Sequence, residues 1–449
     1  MKLEKAFFAP LLASVAAFAL LSATPAMADE VELQRRVDAL EATIDALRSE
    51  IADIRKTPEM KPSPRFRSSN GDYAFKLRGQ IAADAAVFDN TGGARDFNSG
   101  TQLRRARIGV DGAFDKDWLY RLEVDFANAS RDDSATGEVD VKDAYIQYKG
   151  IDKTTLTIGQ HKTPNTLEKT ISSTDTLFVE SPLFVEAFTN RTTAGGDYKA
   201  GVSVKYADVN WTATAGIFGE NFALNGGGNS GGTATTVYKD EGWGPAARLT
   251  WAPVNGIDET LHLGVSGYWR DTGGRTSGLR FRTTPEVSVD STRLVDTGNI
   301  NAKSYSFVGA ELAGQYGPFF FQSEYGATQV DRLGDSDVSF DGGYVQGSWV
   351  ITGENRDYKD GAFSRIRPKR PFSLKNGGWG AWEVATRWST LDLNDANISG
   401  GDEQNYSLGL NWYPNAYLRF LVDYVHFDAT KGLVKDEGDA LVTRASISW

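Results

Sequence analysis

From Tyr73 to Trp449 the chain is a succession of segments in which apolar and polar residues alternate, broken by turns rich in Gly, Asp and Asn. Period two is the signature of a strand with two unlike faces. The clearest stretch is "TQLRRARIGVDGAFDKDWLYRLEVDF", residues 101–126. Ile108, Val110 and Phe114 share one face of its first strand, and Trp118, Tyr120, Leu122, Val124 and Phe126 one face of its second. The opposite faces carry Arg105, Arg107 and Asp111, then Arg121, Glu123 and Asp125. One face suits lipid and the other water. No segment after residue 30 approaches 18 continuous apolar residues, so no helical span is expected. A mean hydropathy of −0.38 is compatible with a membrane barrel, whose strands turn only every second residue to lipid.

These segments predict an all-β fold, a sixteen-stranded antiparallel transmembrane β-barrel over residues 71–449, because bacterial barrels have even strand numbers. Trp118, Tyr120, Trp243, Trp251, Trp269, Trp382, Trp388 and Trp412 fall near strand ends, as in the aromatic girdles of such barrels. The last strand, "LVTRASISW", ends on Trp449 and resembles a barrel-closing strand, whose terminal aromatic is read by the barrel-assembly machinery. The long connections 161–197, 220–241, 271–302 and 354–378 are expected outside the cell.

Residues 1–28 read as a secretory signal peptide: Lys2 and Lys5, an apolar core, then small residues ending at Ala28. In 29–56, Leu33, Val37, Leu40, Ile44, Leu47, Ile51 and Ile54 recur at spacings of four and three, the seam of a short coiled-coil helix. Taken alone this seam favours two strands, and an amphipathic helix on the membrane surface is the alternative. Residues 57–70, with three prolines, read as a linker.

Composition narrows function. There is no Cys, and His161, His262 and His426 are scattered, so no metal site, cofactor or enzyme is expected. A net charge of −11 argues against nucleic acid. Inward-facing Arg and Lys nonetheless outnumber inward-facing Asp and Glu. A wall of that kind favours anions, and the planar fork of arginine suits phosphate. A basic ladder facing an acidic one, without net selectivity, remains the alternative. Arg104 lies on the lipid parity and must sit at the rim or beside a bulge.

At these residues a family resemblance appears. "LRRARIGVDGAFDKDWLYRLEVDFA", "TIGQHKTPNTLEKTISSTDTLFVE", "YVQGSWVITGENRDYK", "RIRPKRPF" and "GLNWYPNAYLRFLVDYVH" resemble the phosphate-selective porins of Gram-negative outer membranes, the O and P type. The resemblance implies a homotrimer of sixteen-stranded barrels in outer-membrane lipid, each a passive diffusion channel for small anions such as phosphate or polyphosphate. It implies a constriction loop near 161–197 and a ladder of arginines. By position it points to Arg104, Arg105, Arg107, Arg280 and Arg282 as anion-binding, with Lys162 and Lys169 in the constriction. A further rung would fall at Thr284. Thr174 and Asp175 stand where relatives often carry a lysine. A weakly selective general diffusion porin, or a porin whose coiled coil tethers the envelope, are the competing readings.

Overall fold

The computed structural model describes residues 35, 37–44, 63–68, 72–89, 94–127, 139–189, 197–222, 240–273 and 277–449. The expected signal peptide lies outside the described residues. So do Leu33, Leu47, Ile51 and Ile54 of the heptad seam. Val37, Leu40 and Ile44 lie on described helical residues and are exposed. The chain forms two compact units, divided between Pro62 and Ser63. Inside the expected linker, Arg65–Arg67 forms a short strand paired with Lys76, Phe75 and Ala74.

The larger unit is a barrel of sixteen strands. Its first eight are β1 (Tyr73–Asp89), β2 (Gly100–Phe114), β3 (Trp118–Asp125), β4 (Asp140–Ile151), β5 (Thr154–Lys162), β6 (Tyr198–Ala207), β7 (Trp211–Phe218) and β8 (Gly244–Asn255). The second eight are β9 (Glu259–Asp271), β10 (Ile300–Tyr316), β11 (Phe319–Arg332), β12 (Val338–Val350), β13 (Ala381–Asp395), β14 (Ile398–Tyr413), β15 (Leu418–Lys431) and β16 (Val434–Ser448). Neighbours in sequence pair antiparallel throughout, and β16 closes on β1 from Gln80↔Ser448 to Asp89↔Asp439. Closure leaves no strand edge unpaired, which lipid requires.

Side chains alternate as expected. On β13, Glu383, Ala385, Arg387 and Ser389 are buried inside, while Val384, Thr386 and Trp388 are exposed outside. Of the register breaks along the ladders, two bear on the interior. The β1–β2 register steps from Ala82↔Arg105 to Ala83↔Leu103, leaving Arg104 as the extra residue of a bulge. The β3–β4 register steps from Glu123↔Asp143 to Val124↔Val141, leaving Lys142 extra in the same way. Each bulge turns a cation from lipid parity toward the interior.

The connections 115–117, 152–153, 208–210, 256–258, 317–318 and 414–417 are short and share one end with Tyr73 and Trp449. In this class of barrel that end faces the periplasm. The connection 351–380 is at the same end, so the expectation that 354–378 is extracellular is corrected. The reason is the short extracellular turn 333–337, which sends β12 back down and forces the next connection to the periplasmic end. Length alone misassigns it.

Among the described residues, connections enter the barrel from both ends. From the extracellular end come residues 163–189 and 280–299. Leu183, Phe184 and Phe188 of the first pack with Phe281 and Val295 of the second against Tyr305, Phe307 and Phe340 of the wall. From the periplasmic end, 351–380 inserts a hairpin in which Tyr358–Lys359 pairs with Ala362–Phe363. Its turn residue Gly361 has φ +77°, and a Cβ there would meet Thr250 Oγ1 at 2.7 Å and Thr212 Oγ1 at 2.9 Å.

At the seam, Gly79 N donates to Trp449 O at 3.2 Å and Trp449 N to Gly79 O at 3.1 Å. A Cβ on Gly79 would lie 2.2 Å from the Trp449 indole. Gly79→Val is therefore expected to evict the terminal ring, costing about 1–3 kcal/mol. The check is the thermal midpoint of the heat-modifiable barrel band in gels; an unchanged midpoint would contradict this packing.

Candidate functional site: the constriction

The loop residues 163–189 narrow the barrel, and the wall holds them with polar groups. Its first helix, α1 (Leu167–Thr170), is capped by Thr166, whose Oγ1 accepts from Lys169 N. The N–H groups of Leu167 and Glu168 donate to the Glu324 carboxylate at 2.7 and 2.8 Å. Farther along, Val179 N donates to Asp423 at 2.7 Å, while Arg419 donates to Thr174 O and Leu177 O, both at 3.0 Å. The second helix, α2 (Leu183–Thr189), is almost wholly buried. These anchors come from β11, β15 and the neighbouring wall. Gln80 of β1 and Lys162 of β5 reach the loop as well, accepting from Ser173 Oγ at 3.5 Å and donating to Lys169 O at 2.7 Å.

The wall of β1–β3 is a lattice of alternating charges. Arg78 pairs with Glu123 at 2.9 Å, Arg121 with Asp111 at 2.6 Å and Arg107 with Asp125 at 2.8 Å. Arg78, Asp111 and Arg121 keep 27%, 33% and 32% of their side chains exposed, so this part of the wall is wet.

The expected site residues separate into distinct groups. Arg104 points inward from its bulge and holds Glu180 of the loop with both ends of its fork, at 2.7 and 2.9 Å. Arg444 of β16 grips Asp84 at 2.6 and 2.7 Å and reaches Glu180 at 3.2 Å. Arg105 lies among Arg104, Arg107 and Arg444. Its side chain is buried, and its Nε and Nη1 have no hydrogen-bond partner. Among the described residues it forms no ion pair.

Lys162 and Lys169 are in the constriction. Lys162 Nζ donates to the carbonyls of Lys169 at 2.7 Å and Ile171 at 3.4 Å. Lys169 Nζ meets Glu186 at 3.0 Å and Asp197 at 3.5 Å. Burial opposes the Lys169 charge, but Asp197 and Glu186 together raise its pKa above the ordinary value. Burial likewise works against the Asp197 carboxylate, yet Lys169 and Lys162 hold its pKa below the ordinary 3.8. A depressed carboxylate contributes stability that is present above its unfolded value and lost as pH falls through its folded one. Channel current is therefore expected to stay quiet down to about pH 4 and become noisy below it, as this clamp is protonated. Onset of noise between pH 7 and 5 in planar-bilayer recordings would point to another group.

Arg280 and Arg282 are not rungs on the wall. They belong to the inserted residues 280–299, where Arg282–Thr283 pairs with Val295–Asp296. Arg280 Nε donates to Asp296 at 2.7 Å. The alternation in "GLRFRTTPE" does mark strand, but only as two short pieces, Ser277–Leu279 against the start of β10 and Arg282–Thr283 inside the loop.

Sequence reasoning passed over Lys142, which bonds Asp140 at 2.5 Å. The ammonium groups of Lys142 and Lys162 both lie over the Tyr198 ring, 5.5 and 5.9 Å from its centroid. The available signal was its parity, as for Arg104. Among the described residues no group of three or more His, Asp or Glu side chains is arranged to hold a metal ion.

Comparison with known proteins agrees with this architecture. Residues 75–449 match the family model described as phosphate-selective porin O and P. An uncharacterized protein of Caulobacter vibrioides is 30% identical over 370 residues, covering 81% of this chain and 70% of its own. Porin O of Pseudomonas aeruginosa is 28% identical over 418 residues, covering 84% of this chain and 89% of its own. An anion-selective porin from Comamonas acidovorans shares the fold at TM-score 0.51 and 13% identity, over 84% of this chain and all of that one. A polar-lined barrel closed around an inserted constriction loop, with a family match across the barrel, places this chain in the phosphate-selective porin O and P family, outer-membrane channels and not enzymes.

Proposed function

We propose that the chain is a passive, anion-preferring diffusion channel for phosphate or polyphosphate. The observation that carries this reading is Arg105, a buried guanidinium with N–H groups left unpartnered beside the constriction loop. A charged donor without an acceptor in the protein suits an anion that sheds part of its water. Lys162 adds a second cation, whose ammonium donates to the carbonyls of Lys169 and Ile171 and lies over the Tyr198 ring. The family and the name of the relative Porin O point the same way.

A weakly selective general porin is the second reading, favoured by the matching of Arg104, Arg107 and Arg121 with Glu180, Asp125 and Asp111. The working unit in this proposal is a homotrimer, exported by a signal peptide of residues 1–28 and recognised by the assembly machinery at Trp449. The 29–56 helix forms a coiled coil, whose envelope-tethering role would be an additional function.

The deciding experiment is the reversal potential of the purified protein in a planar bilayer under a KCl gradient, with phosphate then titrated in. Anion-selective current that phosphate blocks is the expected result. A reversal potential near zero or of cationic sign, without block, would overturn the proposal in favour of the general porin.

A further inference from the structure

The periplasmic connection 351–380 carries a surface that the channel does not use. Its residues 365–379 read "RIRPKRPFSLKNGGW", and from Gly361 to Gly380 there is no Asp or Glu. In a chain of net charge −11 this is a concentrated basic patch. Arg367, Lys369, Arg370 and Lys375 are exposed. Among the described residues Arg367, Arg370 and Lys375 meet no carboxylate. Interleaved with them, Leu374 is 90% exposed and Trp379 74%.

The patch is fixed to the outer rim of the barrel. Phe372 N donates to Pro414 O at 2.6 Å, and Gly380 N to Arg370 O at 3.1 Å. The carbonyl of Trp379 accepts from the indoles of Trp382 at 3.2 Å and Trp412 at 2.9 Å. The Phe372 ring lies edge-on to Trp412 at 5.3 Å, and Trp412 stacks on Trp382 at 5.5 Å and on Phe420 at 5.4 Å. Phe420 is on the outward face of β15. The apolar side chains of the patch thus continue the lipid-facing aromatic belt, and its cations sit at headgroup depth beside that belt.

We infer that residues 367–379 bind the anionic phospholipid headgroups of the periplasmic leaflet. The guanidinium and ammonium groups donate to headgroup phosphate, while Leu374 and Trp379 enter the acyl boundary. Continuity with the lipid belt favours a lipid over a soluble acidic partner. Pro368 and Pro371 restrict the intervening backbone, so the cations are presented with little loss of chain entropy.

The test uses native mass spectrometry of the intact protein released from micelles doped with equal phosphatidylglycerol and phosphatidylcholine. Wild type is expected to retain phosphatidylglycerol in excess by at least about fivefold, roughly the effect of one basic side chain at an anionic surface. The triple variant Arg367→Gln, Arg370→Gln, Lys375→Gln should lose that excess. Arg367→Lys with Arg370→Lys should keep it, and both variants should show the heat-modifiable folded band. Equal retention of the two lipids by wild type overturns the inference, as does an unchanged excess in the triple variant. Loss of the excess on adding millimolar inorganic phosphate would overturn it in favour of a free-anion site. If instead the triple variant loses only co-sedimentation with peptidoglycan sacculi, the partner is the cell wall and the lipid proposal falls.

Discussion

Replacing Arg387 by leucine should release the constriction loop while leaving the barrel closed. Arg387 is fully buried on β13. Its Nη1 donates to Glu180 O and to Glu286 Oε2, both at 3.0 Å, and its Nε to Gln346 Oε1 at 3.1 Å. The guanidinium also lies 4.2 Å from the Phe178 ring centroid. One side chain thereby ties the wall to both extracellular insertions. Glu286 itself accepts from Leu183 N at 3.2 Å. Its backbone takes φ +56°, a conformation a non-glycine residue holds only when its surroundings fix it. Removing the arginine strands a buried carboxylate, an effect of about 3–5 kcal/mol. The interstrand ladder is untouched, so the loss falls on the loops. Single-channel recordings should show a larger and noisier open current, with the folded band retained. The double variant R387L/E286L removes the stranded charge and should recover part of the quiet current. A single variant with wild-type conductance and noise would mean that the other anchors, among them Glu324, Arg419 and Asp423, hold the loop without Arg387.

Such anchors were beyond the reach of the sequence, for a physical reason. Period two is a local property, so the strands and their inward faces were legible in Tyr73–Trp449, the number sixteen followed from the even-strand rule, and the broken parity of Arg104 pointed to the rim or a bulge. The same rule would have found Lys142, since a charged residue out of parity marks a bulge. Partnership is not local. Glu180 lies 264 residues from Arg444 and meets it only because the loop folds into a closed barrel. Counting inward cations therefore overstated the free positive charge. Arg280, Arg104 and Arg107 are each matched by a carboxylate, whereas Arg105, one residue from Arg104, is not. The direction of 351–380 was equally hidden, because it depends on a five-residue turn at 333–337 and not on the segment itself.

Arg105→Met should weaken phosphate block and at the same time make the protein more stable. The first effect follows from losing a charged donor to the anion, about 1.5–3 kcal/mol, or roughly ten- to a hundredfold in the blocking concentration. The second follows because wild type buries guanidinium N–H groups with no acceptor, an arrangement that apolar replacement relieves. A residue kept only for packing would give the opposite sign on stability. Arg105→Lys should fall between, retaining charge without the planar fork. Arg280→Ala is the control: its guanidinium is clamped to Asp296 inside an inserted loop, so block should change by less than about twofold. Arg107→Ala should act differently again, leaving Asp125 unpaired on the wall and moving the reversal potential toward cations. Titration of phosphate in planar bilayers, paired with the thermal midpoint of each variant, separates these cases. If Arg105→Met lowers stability and leaves block unchanged, the unpartnered guanidinium is structural and the anion is held elsewhere. If block weakens while the midpoint rises, the constriction keeps an unsatisfied cation at the expense of stability, as expected when a site is tuned for a ligand rather than for the fold.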